Sequence, residues 1–352
     1  MTPYLSVRDL RVVFDTEEGP IAAVDGLSFD LEQGRTLAIV GESGSGKSTA
    51  AMALLGLHDQ RRTETGGSIR LGGTDLTGAR ERDWRSVRGR LAAMIFQDAL
   101  SALSPFYTVG EQIAETYRRH TGASRAEARA RAITMLDKVG IPEAKQRAGH
   151  YPHQFSGGMR QRAMIAVALV CDPALLIADE PTTALDVTVQ AQILELIGEL
   201  REASHTAVIL VTHDLGVVAG NADDVLVMYA GRCVEYGTVD QVLTAPEHPY
   251  TWGLLRAVPD LHGDPTTDLK PIPGTPPSLL AVPDGCAFAP RCRFPMELEP
   301  GLCATHNPEP ADAARRSACH LGSRARSRLL RADAEPGLTG LIRTIGSEET
   351  HA

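Results

Sequence analysis

The chain has 352 residues, 43% of them hydrophobic, which is enough for one large domain with an appendage or for two ordinary domains with packed cores. A formal net charge of -9 at pH 7 excludes a surface built for nucleic-acid phosphates, because such a surface needs a concentrated field of Lys and Arg. The longest apolar run, Ala163 to Cys171, is far shorter than the roughly 20 apolar residues of a membrane-spanning helix, so any membrane role is expected to be peripheral.

The N-terminal part of the chain predicts strands, then a glycine-rich loop and a helix. Its first residues, MTPYLSVRDLRVVFD, carry charges and lack the basic-then-apolar pattern of a secretory signal, which predicts a cytoplasmic start. Short β-branched stretches from Leu5 to Leu37 predict a small antiparallel sheet. Leu37 to Val40 is an apolar run that enters the glycine-rich loop, and Ser48 to Leu57 has helical composition.

Two later apolar runs have the same character as the strand before that loop. Leu175 to Ala178 and Val208 to Val211 each lead to charged residues at their C-terminal ends. This pattern is typical of a parallel sheet whose chemistry lies at the carboxyl edge. Between these strands, Glu111 to Val139 is rich in Ala, Arg, Glu and Met with helical spacing, and Gly140-Ile141-Pro142 ends it.

These patterns predict three parts. A first domain covers 1–258 and contains an inserted helical subdomain at about 98–158. A small separate C-terminal module covers 259–325, since prolines crowd 271–283 and four cysteines follow. Residues beyond His320 are charged and lack periodicity, so a mobile tail is expected over 326–352.

The glycine-rich loop matches the P-loop pattern, in which backbone N–H groups close around phosphates at the N-terminus of the next helix. Lys47 is expected to reach the β- and γ-phosphates of a nucleotide, and Ser48 to bind magnesium. The predicted ATP-binding residues of the loop are Gly41, Ser43, Gly44, Ser45, Gly46, Lys47, Ser48 and Thr49.

The apolar run at Leu175 delivers two adjacent carboxylates, Asp179 and Glu180. Asp179 is expected to hold magnesium, and Glu180 to orient or deprotonate the attacking water. Taken alone, such a pair is more often a solvated strand end or a helix cap. The P-loop upstream favours the catalytic interpretation.

One motif resembles a single family. Phe155-Ser156-Gly157-Gly158-Met159-Arg160-Gln161-Arg162 precedes the Asp179 strand and resembles the ABC signature motif, usually LSGGQ, with Phe155 and Met159 as departures. The resemblance implies an α/β P-loop NTPase with a RecA-like parallel sheet core, an N-terminal antiparallel β subdomain, an inserted helical subdomain and a small Cys-containing C-terminal module. A P-loop kinase or GTPase does not explain this motif.

Three further positions resemble the same family. Gln97 resembles the Q-loop residue, which binds magnesium and takes part in catalysis. Asp186, in Ala184-Leu185-Asp186, resembles the aspartate of the D-loop, and His213 resembles the switch histidine. Individually they would be a polar loop residue, a helix cap and a strand-end histidine. Phe14 occupies the place of an aromatic that stacks on adenine, an interpretation that we weigh equally with an ordinary strand residue of the core.

The resemblance also implies how the ATPase works. Two such domains face head to tail, and each ATP lies between one P-loop and the Ser156, Gly157 and Gly158 of the partner. A second ATPase subunit, identical or a paralogue, is therefore expected, with ATP and Mg2+ as cofactors. Hydrolysis removes the contact between the γ-phosphate and the signature residues of the partner. ATP therefore holds the two subunits together only until it is hydrolysed.

The tail narrows the subfamily. His248-Pro249-Tyr250-Thr251, the prolines and the cysteines resemble the C-terminal extension of oligopeptide and dipeptide importer ATPases. The resemblance implies two transmembrane permease subunits, an extracytoplasmic solute-binding protein that acts through them, and a peripheral location on the cytoplasmic side of the cell membrane. Nickel or another solute remains open as the cargo. A second alternative is that the chain is a soluble ABC ATPase that acts on DNA or ribosomes instead of a transporter subunit.

Four cysteines of the tail, Cys286, Cys292, Cys303 and Cys319, lie in a polar module that is too small for its own core. A reducing cytoplasm disfavours disulfides, which leaves a metal site, either zinc or an iron–sulfur cluster. The resemblance favours a [4Fe-4S] cluster, followed by zinc and then free thiols. Cys171 and Cys233 are interpreted as small core residues.

Overall fold

The computed structural model of the protein describes residues 3–98, 102–183, 185–257, 271–294, 301–310 and 315–332, with the backbone alone at 323, 327 and 330–332. The D-loop residue Ala184, the segment 258–270 and the tail 333–352 thus lie outside the described residues.

The N-terminal strands form the predicted antiparallel sheet. Its order is β2-β1-β4-β5. Val12 pairs with Val24, and Leu5 lies between Leu31 on one side and Leu71 on the other. These apolar residues are buried, because alternate positions of the strands face one core. The strands are β1 (Leu5–Thr16), β2 (Gly19–Leu31), β4 (Thr63–Leu71) and β5 (Thr74–Asp75).

The second sheet has the order β11-β10-β9-β3-β8-β7-β6 and is parallel from β9 to β6. Its central strands are buried throughout, as the apolar runs predict. The strands are β3 (Thr36–Val40), β6 (Ala92–Ile95), β7 (Leu175–Asp179), β8 (Ala207–Thr212), β9 (Asp224–Tyr229), β10 (Arg232–Thr238) and β11 (Arg316–Ser317).

The predicted site residues lie at the carboxyl edge of this parallel sheet. The P-loop follows β3, Gln97 follows β6, Glu180 follows β7 and His213 follows β8. Because parallel strands end at the same edge, residues far apart in the chain meet there.

The helices surround the sheets. In chain order they are α1 (Lys47–Ala53), α2 (Glu81–Val87), α3 (Val109–Thr121), α4 (Arg125–Lys138), α5 (Ala144–Arg147), α6 (Gly157–Leu169), α7 (Val187–Ser204), α8 (Leu215–Asn221), α9 (Val239–Thr244), α10 (Pro249–Arg256), α11 (Leu302–Thr305) and α12 (Ser323–Ala332).

The inserted helical region differs in detail from the sequence prediction. The single helical pattern from Glu111 to Val139 is two helices, α3 and α4, separated at Gly122. Gly122 has a φ of 73°, the left-handed conformation that ends a helix, and the hydroxyl of Ser124 accepts a hydrogen bond from the Glu127 N–H to begin the next. Local capping therefore overrode the continuous helical spacing.

The C-terminal region is joined to the main sheet rather than standing apart. β11 pairs with β10, and Phe288 is buried against Tyr229, Tyr250 and His248. The prediction that this region cannot rest on a hydrophobic core overlooked a core that it shares with the sheet. Within the expected mobile tail, α12 extends through Ala332, and the mobility of the tail stays a prediction.

Candidate nucleotide-binding and hydrolysis site

The loop between β3 and α1 turns sharply against neighbouring backbone. Gly41 has a φ of 154°, and a Cβ there would lie 2.2 Å from the carbonyl oxygen of Met228. Gly46 has a φ of 99°, and a Cβ there would lie 2.2 Å from the carbonyl oxygen of Ala23. No side chain fits at either position, so these two glycines permit the loop to close before the helix.

Lys47 lies at the base of this loop with 5% of its surface exposed. Its Nζ donates to the carbonyl oxygens of Gly41 at 2.8 Å and Glu42 at 2.9 Å. Burial lowers the pKa of Lys47, and the carboxylates of Glu180 and Asp179 act in the opposite direction. The ammonium is thus positioned inside a ring of acceptors where phosphate oxygens could replace the carbonyls.

Ser48 and Asp179 meet across the P-loop and β7. The Ser48 Oγ donates to the Asp179 Oδ1 at 2.9 Å. Burial raises the pKa of Asp179, whereas the Ser48 hydrogen bond lowers it. A hydroxyl and a buried carboxylate in contact are oxygen ligands of the kind that Mg2+ binds together with phosphates.

Glu180 is the meeting point of the predicted catalytic residues. Its Oε2 accepts hydrogen bonds from the Gln97 Nε2 at 3.0 Å and the Thr183 Oγ1 at 2.8 Å, and its Oε1 lies 3.3 Å from the His213 Nδ1. Glu180 has a φ of 44°, an uncommon conformation for a residue other than glycine. The structure therefore brings together three residues that the sequence separates widely.

Sequence reasoning assigned no role at this junction to Thr183, or to Gln161 of the quoted signature motif. Thr183 binds Glu180 directly, and the buried Gln161 donates from Nε2 to the Pro181 carbonyl oxygen at 2.5 Å. The only signal in the sequence was their closeness to the recognised motifs. Gln161 connects the signature helix to the loop after Glu180.

The signature residues face outward. Ser156 and Gly157 are exposed, and Ser156 caps α6 by accepting from the Met159 N–H at 3.4 Å. A Cβ on Gly158 would lie 3.1 Å from the Cγ1 of Val189. Among the hydrogen bonds of the described residues, none joins Ser156 to the P-loop of the same chain. The departure Phe155 is buried in the core, where a large apolar residue fits.

Two other predicted site residues have ordinary structural contacts. Asp186 caps α7, its Oδ1 accepting from the Val189 N–H at 3.0 Å. Phe14 is half-buried in β1, and its ring meets that of His58 edge-on at 5.3 Å between centroids. Both contacts suit the plain structural interpretations, and the proposed roles toward a nucleotide remain predictions.

The sequence matches two known families. The family described as ABC transporter matches residues 24–183, and the family described as oligopeptide/dipeptide transporter, C-terminal region, matches residues 234–298. The oligopeptide transport ATP-binding protein OppD of Haemophilus influenzae is 52% identical over 84% of this chain and 91% of that protein. This chain belongs to the ABC transporter family.

Further relatives place it among the ATP-binding proteins of that family. The dipeptide transport ATP-binding protein DppD of Lactococcus lactis is 50% identical over 84% of each chain. A bacterial ABC transporter cassette solved as a dimer is 26% identical, with a TM-score of 0.60 over 67% of this chain and 98% of that one. The ABC transporter assignment and the predicted fold class are confirmed, and the chain is an ATP-binding ATPase of this family.

The described part of the chain contains no helix long and apolar enough to span a membrane.

The four cysteines that the sequence predicts to bind a metal lie around one small cavity. Cys286, Cys292, Cys303 and Cys319 line one cavity of about 20 Å³, which holds about one water molecule. Within the described ranges, no group of three or more His, Cys, Asp or Glu side chains is arranged to hold a metal ion. The described residues thus show no preformed metal site, although the four thiols line a common space.

Burial keeps these thiols protonated. It raises the pKa of Cys286 to about 11 and that of Cys292 to about 12. A metal would have to displace these protons to bind thiolates. Cys233 is a core residue as predicted, and Cys171 packs half-buried at the edge of a core.

Proposed function

We propose that this chain is the ATP-binding and ATP-hydrolysing subunit of an ABC importer for oligopeptides or dipeptides. The observation that carries the hydrolytic part is the contact of Gln97, Thr183 and His213 with the carboxylate of Glu180. The peptide cargo is supported by the printed names of relatives at 50–53% identity and by the matched C-terminal region.

Each residue of the junction has a role in this proposal. Lys47 and the loop N–H groups bind the β- and γ-phosphates, while Ser48, Asp179 and Gln97 hold the Mg2+ that neutralises them. Glu180 orients or deprotonates the water that attacks the γ-phosphate, and His213 positions that carboxylate. The 16% exposure of the Glu180 side chain leaves its face open to a water molecule.

The exposed signature residues belong, in this proposal, to the ATP of a second ATPase subunit. Ser156, Gly157 and Gly158 would add donors to the γ-phosphate at the N-terminus of α6, where a helix favours negative charge. That subunit is a second copy or a paralogue. The dimeric form of the bacterial ABC transporter cassette supports this arrangement.

The permease subunits are expected to dock near Gln97. Phe106 and Tyr107, in the segment between Gln97 and α3, are 83% and 60% exposed. Large exposed aromatic side chains are typical of protein interfaces. The proposed partners are two transmembrane permease subunits served by an extracytoplasmic solute-binding protein, and this chain would bind them as a peripheral subunit on the cytoplasmic side of the cell membrane.

The decisive experiment is co-expression with the genes of the adjoining permease and ATPase, reconstitution in liposomes, and measurement of ATPase rate with peptide-loaded binding protein. Stimulation by peptides and loss of that stimulation with Lys47→Ala are expected. Stimulation by nickel or another solute instead would change the cargo. A failure to form any membrane complex would contradict the transport role and favour a soluble ABC ATPase.

We also propose that the four tail cysteines bind a [4Fe-4S] cluster, with zinc as the alternative. Support comes from the donor set, four thiols on one cavity. Binding would require the lining to open beyond its present volume. Iron and acid-labile sulfide analysis, zinc analysis and visible absorption of anaerobically purified protein test this, with Cys233→Ser as the control for Cys303→Ser. Metal-free protein with normal folding would refute the site.

A further inference from the structure

Arg291 of the C-terminal region contacts the P-loop directly. Arg291 lies in a short 3₁₀ helix (Ala289–Arg291), far along the chain from Glu42 of the P-loop. Its Nη1 donates to the Glu42 Oε2 at 2.6 Å and its Nη2 to the Glu42 Oε1 at 3.0 Å. Two parallel bonds between guanidinium and carboxylate fix direction as well as distance.

This ion pair is built into the interior on the arginine side. The Arg291 side chain is 4% exposed, and its remaining donors reach the Pro273 carbonyl oxygen at 2.9 Å and the Tyr229 hydroxyl at 3.3 Å. The carboxylate of Glu42 holds the pKa of Arg291 above its ordinary value. A buried guanidinium that makes four hydrogen bonds cannot swing away without losing them.

A second contact reaches the same P-loop residue. The Glu42 backbone N–H donates to the Tyr250 hydroxyl at 2.8 Å, and Tyr250 is fully buried in α10. The Glu42 carbonyl oxygen in turn accepts from Lys47. The C-terminal region therefore holds both the side chain and the backbone of the residue that contacts the phosphate-binding lysine.

The turn that carries Arg291 is itself fixed to the cysteine cavity. The Cys286 N–H donates to the Cys303 carbonyl oxygen at 2.8 Å, and the Arg291 N–H donates to the Phe288 carbonyl oxygen at 2.9 Å. Cys286 and the adjoining Cys292 line the four-thiol cavity. The placement of Arg291 thus depends on the packing of the whole C-terminal region.

We propose that Arg291 and Tyr250 are positioning residues for the P-loop, so that the docked C-terminal region sets the nucleotide affinity of the chain. The inference rests on the proposed nucleotide site and is independent of the peptide cargo. Neither residue lies in a P-loop, signature or switch motif. Arg291 acts through Glu42, and its charge is already neutralised by that carboxylate.

The test is MgATP affinity, measured by titration calorimetry on the full chain, for Arg291→Gln, Glu42→Gln and the double variant. Each single change is expected to raise Kd about tenfold, as losses of supporting contacts do at other sites. The double variant should bind MgATP no more weakly than the weaker-binding single variant, because both single changes remove the same Arg291–Glu42 contact. Arg291→Lys keeps the charge and should restore part of the affinity.

Arg326→Gln is the matched control. Arg326 is another buried arginine of the C-terminal region, and its Nη2 donates to the Glu247 Oε2 at 2.9 Å, away from the P-loop. It should leave Kd within about twofold. Equal weakening by Arg326→Gln and Arg291→Gln would reduce Arg291 to a stability role and overturn the proposal.

Glu42→Gln separates positioning from simple charge. If Arg291 acted on phosphates by its charge, freeing it from Glu42 would tighten binding, and that outcome would overturn the proposal. Should Arg291→Gln not fold, Tyr250→Phe removes only the hydroxyl and should raise Kd about threefold. An unchanged Kd there would overturn the proposal as well.

The nucleotide site itself has a separate readout. If wild-type chain and Lys47→Ala bind MgATP equally poorly, the proposed nucleotide site fails. If the wild-type chain binds and Arg291→Gln and Tyr250→Phe bind equally well, the positioning proposal alone fails. In the assembled transporter, Arg291→Gln should raise the KM for ATP while leaving kcat within about twofold.

Discussion

The P-loop half of the proposed ATP site (Gly41–Thr49, Asp179 and Glu180) and its proposed signature half (Ser156–Gly158 and Asp186) are built differently. The first is bonded inside the chain, with Ser48 on Asp179 and Gln97, Thr183 and His213 around Glu180. Ser156 and Gly157 of the second face solvent. In the proposed function, a second ATPase subunit covers the exposed signature half, and variants in each half distinguish the two.

The largest effect is expected from Glu180→Gln, which keeps the shape of the P-loop half and removes the carboxylate base. ATPase rate in the assembled complex should fall by about 10²–10⁴-fold, while MgATP binding is retained. Glu199→Gln, an exposed position on α7, is the matched control. Wild-type turnover in Glu180→Gln would remove Glu180 from the catalytic role.

Ser156→Ala tests the signature half. Loss of one γ-phosphate donor should lower the ATPase rate of the complex about 10²-fold, with MgATP binding by the isolated chain unchanged. Ser124→Ala is the control, because Ser124 caps α4 as Ser156 caps α6, and each loss costs about 1 kcal/mol of stability. Equal ATPase losses in both variants would mean that Ser156 acts only as a cap.

Phe14→Leu asks whether the P-loop half includes an adenine contact. If the ring stacks on adenine, Kd for MgATP should rise about tenfold, since stacking contributes about 1–3 kcal/mol. Inorganic triphosphate, which has no base, should bind equally to both proteins. Calorimetric titration of the two ligands decides the question, and equal weakening of both would assign Phe14 to packing against His58.

Asp179→Asn should give the smallest change, an increase in the melting temperature of the nucleotide-free chain of about 2–4 °C at neutral pH. Burial raises the pKa of Asp179, so the native state favours the neutral carboxyl. Stability from this group is present at low pH and lost as pH rises through the raised pKa. The advantage of Asp179→Asn should therefore be smallest at low pH and grow as the pH rises through the raised pKa.

The control for this pH series is Asp137→Asn, an exposed carboxyl at the end of α4. It should show no comparable pH-dependent gain. Thermal unfolding in the absence of nucleotide measures both variants. A melting temperature of Asp179→Asn that stays at or below the wild-type value across the series would contradict the assigned cost of burying Asp179.

Local sequence determined most of the P-loop half. Glycines at 41 and 46, an apolar strand before them and a helix after them fix the loop, because only glycine fits those positions. Buried strands that end in polar residues also predicted the parallel sheet. The resemblance to the ABC family implied that Gln97, Glu180 and His213 belong together, but not that Gln97 and His213 both contact the Glu180 carboxylate.

Only the tertiary structure decided the rest. The C-terminal region packs on the main sheet through Phe288 and β11, a contact that composition alone could not show. Arg291 and Glu42 lie 249 positions apart, and no sequence motif contains both residues. Local patterns encode caps, turns and strands, whereas long-range pairs depend on how those elements are folded together, so the Arg291 contact with the P-loop became visible only in three dimensions.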